Sequence, residues 1–163
     1  MIRDTHIDDA DAVAAIWNPF IRDTTVTFWP SERSTAEVAE IIGQRQRDGH
    51  AHVVAQREGE IIGFGTYSQF RGGLGYARSV EHTVYLAAAA RGTGLGRALL
   101  EHLEDHARAA GRRLMIGGIT GSNSGSLRFH DRMGYSEWGR VPAAGWKFGQ
   151  FHDLVFMGKD LLA

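Results

Sequence analysis

A glycine-rich stretch in the middle of the chain has the residue types and the spacing of an anion-binding loop. Glycine stands at every second position, at Gly92, Gly94 and Gly96, and the apolar pattern of a helix follows from Leu95. Glycine lets the backbone come close to a ligand, and the first N–H groups of a helix have no acceptor within the helix. Together with the positive end of the helix dipole, these donors favour a phosphate or pyrophosphate group.

The spacing excludes two common kinds of phosphate-binding loop. A Walker loop needs G-x-x-x-x-G-K followed by Ser or Thr, and neither of the first two glycines leads into such a pattern. A dinucleotide fingerprint, G-x-G-x-x-G, needs glycine at position 97 or 99, where the chain has Arg97 and Leu99. The pattern that remains is R-x-x-G-x-G over residues 91–96, between an apolar strand and a helix.

This remaining pattern resembles the acyl-CoA signature of the GNAT superfamily of N-acetyltransferases. The resemblance implies that acetyl-CoA is the co-substrate and that the loop holds its pyrophosphate. The alternative is a glycine-rich turn from strand to helix that binds no ligand. The residues expected to form this part of the acetyl-CoA site are Arg91, Gly92, Thr93, Gly94, Leu95, Gly96 and Arg97.

Four further stretches are similar to one family within that superfamily, the phosphinothricin and methionine sulfoximine N-acetyltransferases. They occur in the order of that family and are Thr24-Thr25 with Phe28, residues 79–85 (S-V-E-H-T-V-Y), residues 127–135 (L-R-F-H-D-R-M-G-Y) and residues 145–153 (G-W-K-F-G-Q-F-H-D). The resemblance implies transfer of an acetyl group to the α-amino group of a small amino acid. It also implies a homodimer.

Such a reaction needs a base, because a free α-amino group is mostly protonated at pH 7. Glu81 lies in an otherwise apolar strand just before the glycine loop, where partial burial would raise the pKa of its carboxyl group. The family resemblance places the proposed base at the same residue. We therefore expect Glu81 to act as general base, directly or through a water molecule. The alternative is a carboxylate at the edge of a strand that faces solvent.

His130 stands where many GNAT enzymes have a tyrosine that protonates the departing thiolate, and the phosphinothricin family has histidine there as well. A histidine titrates near neutral pH. His130 is expected to act as an acid, or as a second base beside Glu81, and the alternative is a packed helix residue that forms hydrogen bonds.

The strand before the loop and the helix after the next strand complete the expected acetyl-CoA site. The resemblance implies that the backbone of Val84, Tyr85 and Leu86 pairs with the pantetheine arm and stabilises the oxyanion. It also implies contacts from Asn123 and Ser126 at the start of a helix. Asn123 is at the same time a typical N-cap residue.

For the acceptor, the loop before Glu81 carries two arginines, and a guanidinium binds a carboxylate or phosphinate group with two hydrogen bonds. The resemblance points to Arg71, Tyr76 and Arg78 as substrate-binding residues, with Phe28 as a wall. Surface arginines that are merely solvated are the alternative. The expected acceptors are L-methionine sulfoximine, L-methionine sulfone or phosphinothricin. Another amine or a protein N-terminus is the second candidate, and a catalytically silent acyl-CoA sensor is the third.

Composition restricts these possibilities. With 163 residues, 43% of them apolar, we expect one domain over residues 1–163. A net charge of -1 gives no reason to expect a nucleic acid or a membrane as partner. The absence of cysteine excludes a disulfide framework, a thiolate metal site and a cysteinyl intermediate. With the family resemblance, the expected reaction is direct transfer of the acetyl group between the two substrates in a ternary complex. The start of the chain has no apolar segment of the signal-peptide kind, and we expect a cytoplasmic enzyme.

No metal site is expected. His102 and His106 are spaced like a metal-binding pair, but Leu103 stands where H-E-x-x-H needs glutamate. The interpretation is that both histidines lie on a solvated helix face.

The periodicity of apolar residues predicts the elements that hold these groups in place. Predicted strands cover residues 2–5, 51–56, 60–68, 80–86, 114–120, 135–140 and 154–157, and predicted helices run from 8 or 9 to 21, 34 or 35 to 49, 95 to 110 and 122 or 123 to 134. Residues 142–152 are expected to separate the last two strands. The predicted fold is of the mixed α/β (α+β) class. The resemblance implies a GNAT fold, with a central, mostly antiparallel sheet, a splayed parallel strand pair and about four helices.

Overall fold

A computed structural model of the chain describes all 163 residues. Seven strands and four α-helices follow one another as β1 (Ile2–Asp4), α1 (Ala10–Asp23), α2 (Thr35–Arg47), β2 (His52–Arg57), β3 (Glu60–Gln69), β4 (Ser79–Leu86), α3 (Leu95–Ala109), β5 (Leu114–Thr120), α4 (Ser124–Arg132), β6 (Ser136–Lys147) and β7 (Gln150–Asp160). The strands form one sheet in the order β1-β2-β3-β4-β5-β7-β6. The mixed class and the four helices expected from the sequence are confirmed.

The sheet opens between β4 and β5, which are its one parallel pair. These strands pair from Ser79 with Leu114 as far as Glu81 with Ile116, and beyond that point they separate. On its other edge β4 stays paired with β3 along its whole length. The expected splayed pair is therefore present, and it leaves one edge of β4 open from residue 82 onward.

Helices cover both faces of the sheet. On one face the stripe of Leu99, Leu103 and Ala107 on α3 is fully buried in a core that includes Met115 of β5. On the other face α1 and α2 bury a second cluster around Val13, Ile42 and Phe64. Burying an aliphatic or aromatic side chain of this size stabilises the fold by roughly 1.5–3 kcal/mol. The gap between β4 and β5 thus lies in a sheet that is supported on both faces.

The end of the chain corrects one expectation from the sequence. Residues 142–152 do not form a loop between two short strands, because β6 and β7 are long strands of one hairpin that turns at Phe148 and Gly149. Both turn residues have positive φ, 53° and 71°, as tight hairpin turns require. Pro142 is accommodated because β6 is the edge strand and its register with β7 shifts between Val141 and Gly145.

The interpretation of the histidine pair on α3 is wrong for one of its two members. His102 is exposed, whereas His106 is half-buried and its Nδ1 lies 2.7 Å from the hydroxyl of Tyr67 on β3. No group of three or more His, Cys, Asp or Glu side chains is arranged to hold a metal ion. None of the helices has the length and the apolar character that a membrane crossing needs.

Candidate active site

The glycine loop forms a row of free backbone donors at the start of α3. Gly92 and Gly94 have φ of 73° and 84°, a conformation that glycine adopts without strain. The N–H groups from Gly92 to Arg97 donate to no acceptor within the protein. These donors fit the pyrophosphate of a CoA molecule, which was the expectation for this loop.

The two arginines beside the loop already have partners within the chain. Arg97 is paired with Glu101 one turn further along α3, with 2.8 Å between Nε and Oε1. The guanidinium of Arg91 lies 5.0 Å from the centre of the Phe20 ring. The groups of the loop that have no partner within the chain are therefore its backbone N–H groups.

A cavity of about 250 Å³ lies in the gap between β4 and β5. Along an antiparallel pair, successive residues direct their backbone groups to alternate sides. The N–H of Ala87 donates to the carbonyl of Ile62 on β3, so the backbone of Tyr85 also faces β3, while that of Val84 and Leu86 faces the gap. The open backbone of Val84 and Leu86 can pair with an extended ligand or stabilise an oxyanion.

The start of α4 closes this cavity on the side opposite β4. Asn123 is the N-cap, and its Oδ1 accepts a hydrogen bond of 3.2 Å from the N–H of Ser126. Both residues, together with Gly96 and Phe129, line the cavity. The sequence-predicted residues Val84, Tyr85, Leu86, Gly96, Asn123 and Ser126 are thus brought together, and Arg91 to Leu95 and Arg97 form the adjoining loop.

A second cavity, of about 520 Å³, opens on the other side of the gap. Its walls are the loop after α1, residues 26–30, and residues of β4, β5 and β7. Six residues line both cavities, and they are Val26, His82, Thr83, Tyr85, Gly118 and Thr120. The two cavities therefore meet at the point where β4 and β5 separate.

Glu81 lines this second cavity. Its carboxylate packs against Gly118, where an added Cβ would lie 2.8 Å from Oε2. Burial raises the pKa of the Glu81 carboxyl group, and no ion pair or hydrogen bond to another side chain opposes this shift. A carboxylate with a raised pKa beside a cavity is suited to take a proton from a ligand at near-neutral pH.

The first loop is fixed by the β6–β7 hairpin, which the sequence did not predict. The ring of Phe28 stacks on His152 at 5.8 Å between centres and covers Gly145, where an added Cβ would lie 2.5 Å from the ring. The Nζ of Lys147 donates a hydrogen bond of 2.7 Å to the carbonyl of Thr27. Burial lowers the pKa of this lysine, which is only 5% exposed.

His130 is buried at the wall of the first cavity, and a second histidine that the sequence analysis did not single out accompanies it. His130 Nε2 lies 2.9 Å from Nε2 of His82. Gly117 leaves room for both rings, since an added Cβ would lie 2.9 Å from His82 and 3.1 Å from His130. The sequence does contain one signal of this arrangement. Gly117 and Gly118 follow each other in a strand, and glycine in a strand often marks a place where other groups come close to the backbone.

The structure does not bring the three residues expected to bind the acceptor to either cavity. Arg71 and Tyr76 are exposed, with 5.5 Å between the guanidinium and the ring centre. Arg78 is exposed as well, and its carbonyl accepts the N–H groups of Arg113 and Leu114. Among the 12 residues that line the second cavity there is no arginine or lysine.

Known proteins with similar sequences and folds match nearly the whole chain. The model of the Acetyltransferase (GNAT) family matches residues 18–135. An L-methionine sulfoximine/L-methionine sulfone acetyltransferase from Pseudomonas aeruginosa is 35% identical, over 98% of this chain and 94% of that protein.

Two solved structures are similar in fold and in sequence. One is a GNAT superfamily phosphinothricin acetyltransferase from Sinorhizobium meliloti in complex with AcCoA, with a TM-score of 0.94 and 32% identity over 98% of this chain and 87% of that one. The other is a ribosomal-protein-alanine N-acetyltransferase from Brucella melitensis, with a TM-score of 0.95 and 35% identity over 98% and 99% of the two chains.

Proposed function

Because the chain belongs to the GNAT acetyltransferase family, we propose that it transfers the acetyl group of acetyl-CoA to the α-amino group of a small amino acid. The proposed acceptors are L-methionine sulfoximine, L-methionine sulfone and phosphinothricin, the compounds named for its relatives. The proposed transfer is direct, within a ternary complex, and the absence of cysteine excludes an acetyl-cysteine intermediate.

The observation that carries this proposal is the meeting of two different cavities at the gap between β4 and β5. The first is continuous with free backbone donors and an open strand edge, which suit the pyrophosphate and the amide-rich arm of acetyl-CoA. The second contains Glu81 and the aromatic first loop, which suit a small amine. Two substrates placed in this way have their reacting atoms side by side, and such proximity accounts for much of the rate of a two-substrate reaction.

The chemistry follows from that placement. Glu81 accepts a proton from the ammonium group of the acceptor, and the neutral amine then attacks the thioester carbonyl. A carbon–nitrogen bond forms, the attacking nitrogen loses its second proton, and the carbon–sulfur bond breaks as the thiolate of CoA departs and takes up a proton. The N–H groups of Val84 and Leu86 face the gap and stabilise the negative oxygen that develops on the carbonyl carbon.

The acceptor also needs a cation to neutralise its carboxylate, and the second cavity has none in its walls. The loop that precedes β4 contains the nearest arginines in sequence to Glu81, at positions 71 and 78. We keep Arg71, Tyr76 and Arg78 as the residues proposed to contact the polar side chain or the carboxylate of the acceptor, with Phe28 as the apolar wall.

The proposal is tested by following thiol release from acetyl-CoA with a panel of acceptors. We expect turnover with methionine sulfoximine, methionine sulfone or phosphinothricin and acetylation of the α-amino group by mass spectrometry. No turnover with any of the three would refute the proposed acceptors. If acetyl-CoA binds and no acceptor in a broad panel of amines releases thiol, the chain is an acyl-CoA sensor.

A protein N-terminus is the second candidate acceptor, because the Brucella melitensis protein of similar fold is named for that activity. A peptide substrate needs an open groove, whereas residues 26–30 line one side of the second cavity and are tied to the β6–β7 hairpin by the hydrogen bond from Lys147 to Thr27. Peptides with an N-terminal alanine belong in the same panel. Faster turnover of such a peptide than of every free amino acid would favour the second candidate.

We also propose that the chain forms a homodimer through the outer face of the β6–β7 hairpin. Trp146 and Phe151 are 58% and 68% exposed, and their ring centres lie 4.7 Å apart. Trp138 and Phe148 on the same hairpin are also exposed. Exposed aromatic clusters of this kind mark interaction surfaces. Light scattering should give twice the mass of the chain, and Trp146→Glu should reduce it to the monomer.

A further inference from the structure

His82 and His130 form a buried pair at the junction of the two cavities. His82 lies on β4 and lines both cavities, while His130 lies on α4 and lines the first. Their rings are stacked at 5.1 Å between centres, and Tyr135 packs edge-on against both. Their two Nε2 atoms are 2.9 Å apart, so a single proton must lie between them.

The hydrogen bonds around the pair decide which ring supplies that proton. Nδ1 of His130 lies 2.8 Å from the carbonyl oxygen of Ser126, which can only accept, so Nδ1 of His130 carries a hydrogen. In neutral His130 the Nε2 atom is then without a hydrogen and acts as acceptor. The donor is therefore Nε2–H of His82. Nδ1 of His82 is left without a hydrogen, and it is buried with no hydrogen-bond partner.

The surroundings keep both rings neutral. The groups that pack against them are the rings of Tyr135 and Phe129, the backbone of Gly117, and the carbonyl and hydroxyl of Ser126, none of which carries a charge. The hydroxyl of Ser126 is 3.4 Å from Nδ1 of His130, farther than the carbonyl at 2.8 Å. The hydroxyl of Tyr135 is directed away from the pair, because it donates to Glu104 on α3. Burial lowers the pKa of both histidines, and it lowers that of His82 to about 3. The backbone of Ile116 raises the pKa of His82, but this is the smallest of the contributions.

We propose that His82 is a positioning residue that fixes the tautomer of His130 and withholds it from acid catalysis. The donor from His82 occupies Nε2 of His130, and the carbonyl of Ser126 holds the hydrogen on Nδ1. Neither nitrogen of His130 can then protonate the departing thiolate, which takes its proton from solvent or from the proton released by the amine. The function of His130 is to shape the wall of the first cavity. The inference rests on the proposed acetyl transfer in one respect, because the step from which His130 is withheld is the protonation of the thiolate in that reaction.

The most direct test is the tautomer of each histidine, measured by two-dimensional ¹H–¹⁵N NMR of the imidazole rings in the full chain without substrates. We expect His130 with hydrogen on Nδ1, His82 with hydrogen on Nε2, and no protonation of His82 between pH 5 and 8. His130 with hydrogen on Nε2, or a cationic ring at pH 7, overturns the proposal. Because this readout needs no acceptor, it is independent of whether the proposed substrates are correct.

Two substitutions separate positioning from packing. His82→Gln retains an N–H donor at the same distance along the side chain, whereas His82→Leu has none. We expect His82→Leu to lower kcat about 10-fold through displacement of the His130 ring, and to raise the pKa of His130 towards its ordinary value of about 6.5. The glutamine variant should keep the wild-type tautomer of His130 and most of kcat.

His52→Leu is the matched control, because His52 is also buried, lies on β2 two strands away from β4, and bonds to Thr5 at 2.7 Å outside the site. We expect it to lose stability and to keep the wild-type pH profile of kcat. If the pKa of His130 in His82→Leu is the same as in His52→Leu, or if His82→Gln behaves like His82→Leu with a changed tautomer of His130, the proposal is overturned.

Discussion

The two cavities that meet between β4 and β5 are built in different ways. The first presents backbone atoms to a ligand, namely the free N–H groups of residues 92–97 and the open edge of β4 at Val84 and Leu86. The second presents side chains, with Glu81 from β4 and Phe28 from the loop after α1. One cavity therefore depends on chain conformation, and the other depends on the identity of residues that are far apart in sequence.

This difference predicts how substitutions will divide between the two substrates. Changes in the glycine loop should alter the affinity for acetyl-CoA and leave the acceptor unaffected. Changes at Glu81 and around it should alter the chemical step or the acceptor and leave acetyl-CoA binding unaffected. Variants in each cavity, paired with controls elsewhere, test whether the effects divide in this way.

Glu81→Gln should have the largest effect. It removes the base while preserving shape, so we expect kcat to fall by about 10²–10⁴, the usual contribution of general base catalysis, with an unchanged Kd for acetyl-CoA by calorimetry. In the wild type the rate should fall as the pH drops through the raised pKa of Glu81, and this limb should be absent in the variant. A kcat within twofold of wild type would exclude Glu81 as the base.

The same substitution should increase the thermal stability at neutral pH. Burial raises the pKa of Glu81 in the folded state above its unfolded value, so the ionised carboxylate costs stability at pH values above the folded pKa. That cost disappears as the pH falls below the unfolded pKa. The gain in Tm of Glu81→Gln at pH 8 should therefore shrink towards pH 4.

Gly118→Ala should have the second largest effect. An added Cβ would lie 2.8 Å from Oε2 of Glu81 and must displace that carboxylate. We expect kcat to fall on the order of 10- to 100-fold, because a shift of about 1 Å in a catalytic group is this costly. Gly139→Ala is the control, since nothing lies within 4 Å of its added Cβ. Equal rates for the two variants would show that Glu81 does not depend on Gly118.

Gly94→Ala tests the backbone-built cavity. Gly94 has φ of 84°, and alanine in this conformation costs about 1–2 kcal/mol. We expect KM for acetyl-CoA to rise about 10-fold, as for the loss of one hydrogen bond to a charged group, with KM for the acceptor unchanged. Gly59 in the β2–β3 turn has the same φ of 84°. Gly59→Ala should lose similar stability and keep both KM values. If KM for acetyl-CoA rises equally in Gly59→Ala, the effect of Gly94→Ala does not come from the glycine loop.

Arg71→Ala should have the smallest effect. An exposed ion pair contributes about 0.2–1 kcal/mol, so we expect KM for an anionic acceptor to rise about 2- to 5-fold while kcat is retained. Arg57→Ala, at the exposed end of β2, is the control. If KM is unaltered in Arg71→Ala for every anionic acceptor, a role of this arginine in substrate binding is excluded.

The sequence predicted the first cavity better than the second for a physical reason. A glycine loop before a helix and a strand before the loop are local features, and their spacing alone restricts what they can bind. The contact of Lys147 with Thr27 joins residues 120 apart, and that of His82 with His130 joins residues 48 apart. No local sequence pattern indicates such contacts. In addition, Pro142 is unusual in a strand, so the sequence did not predict the hairpin that carries Lys147.

The measurement that tests the central claim most directly is the initial rate with acetyl-CoA and the acceptor varied together. Two cavities that meet at one gap hold both substrates at once, so the double-reciprocal plots should intersect. Parallel lines would mean that the acetyl group first passes to the protein. That result would contradict direct transfer between the two cavities.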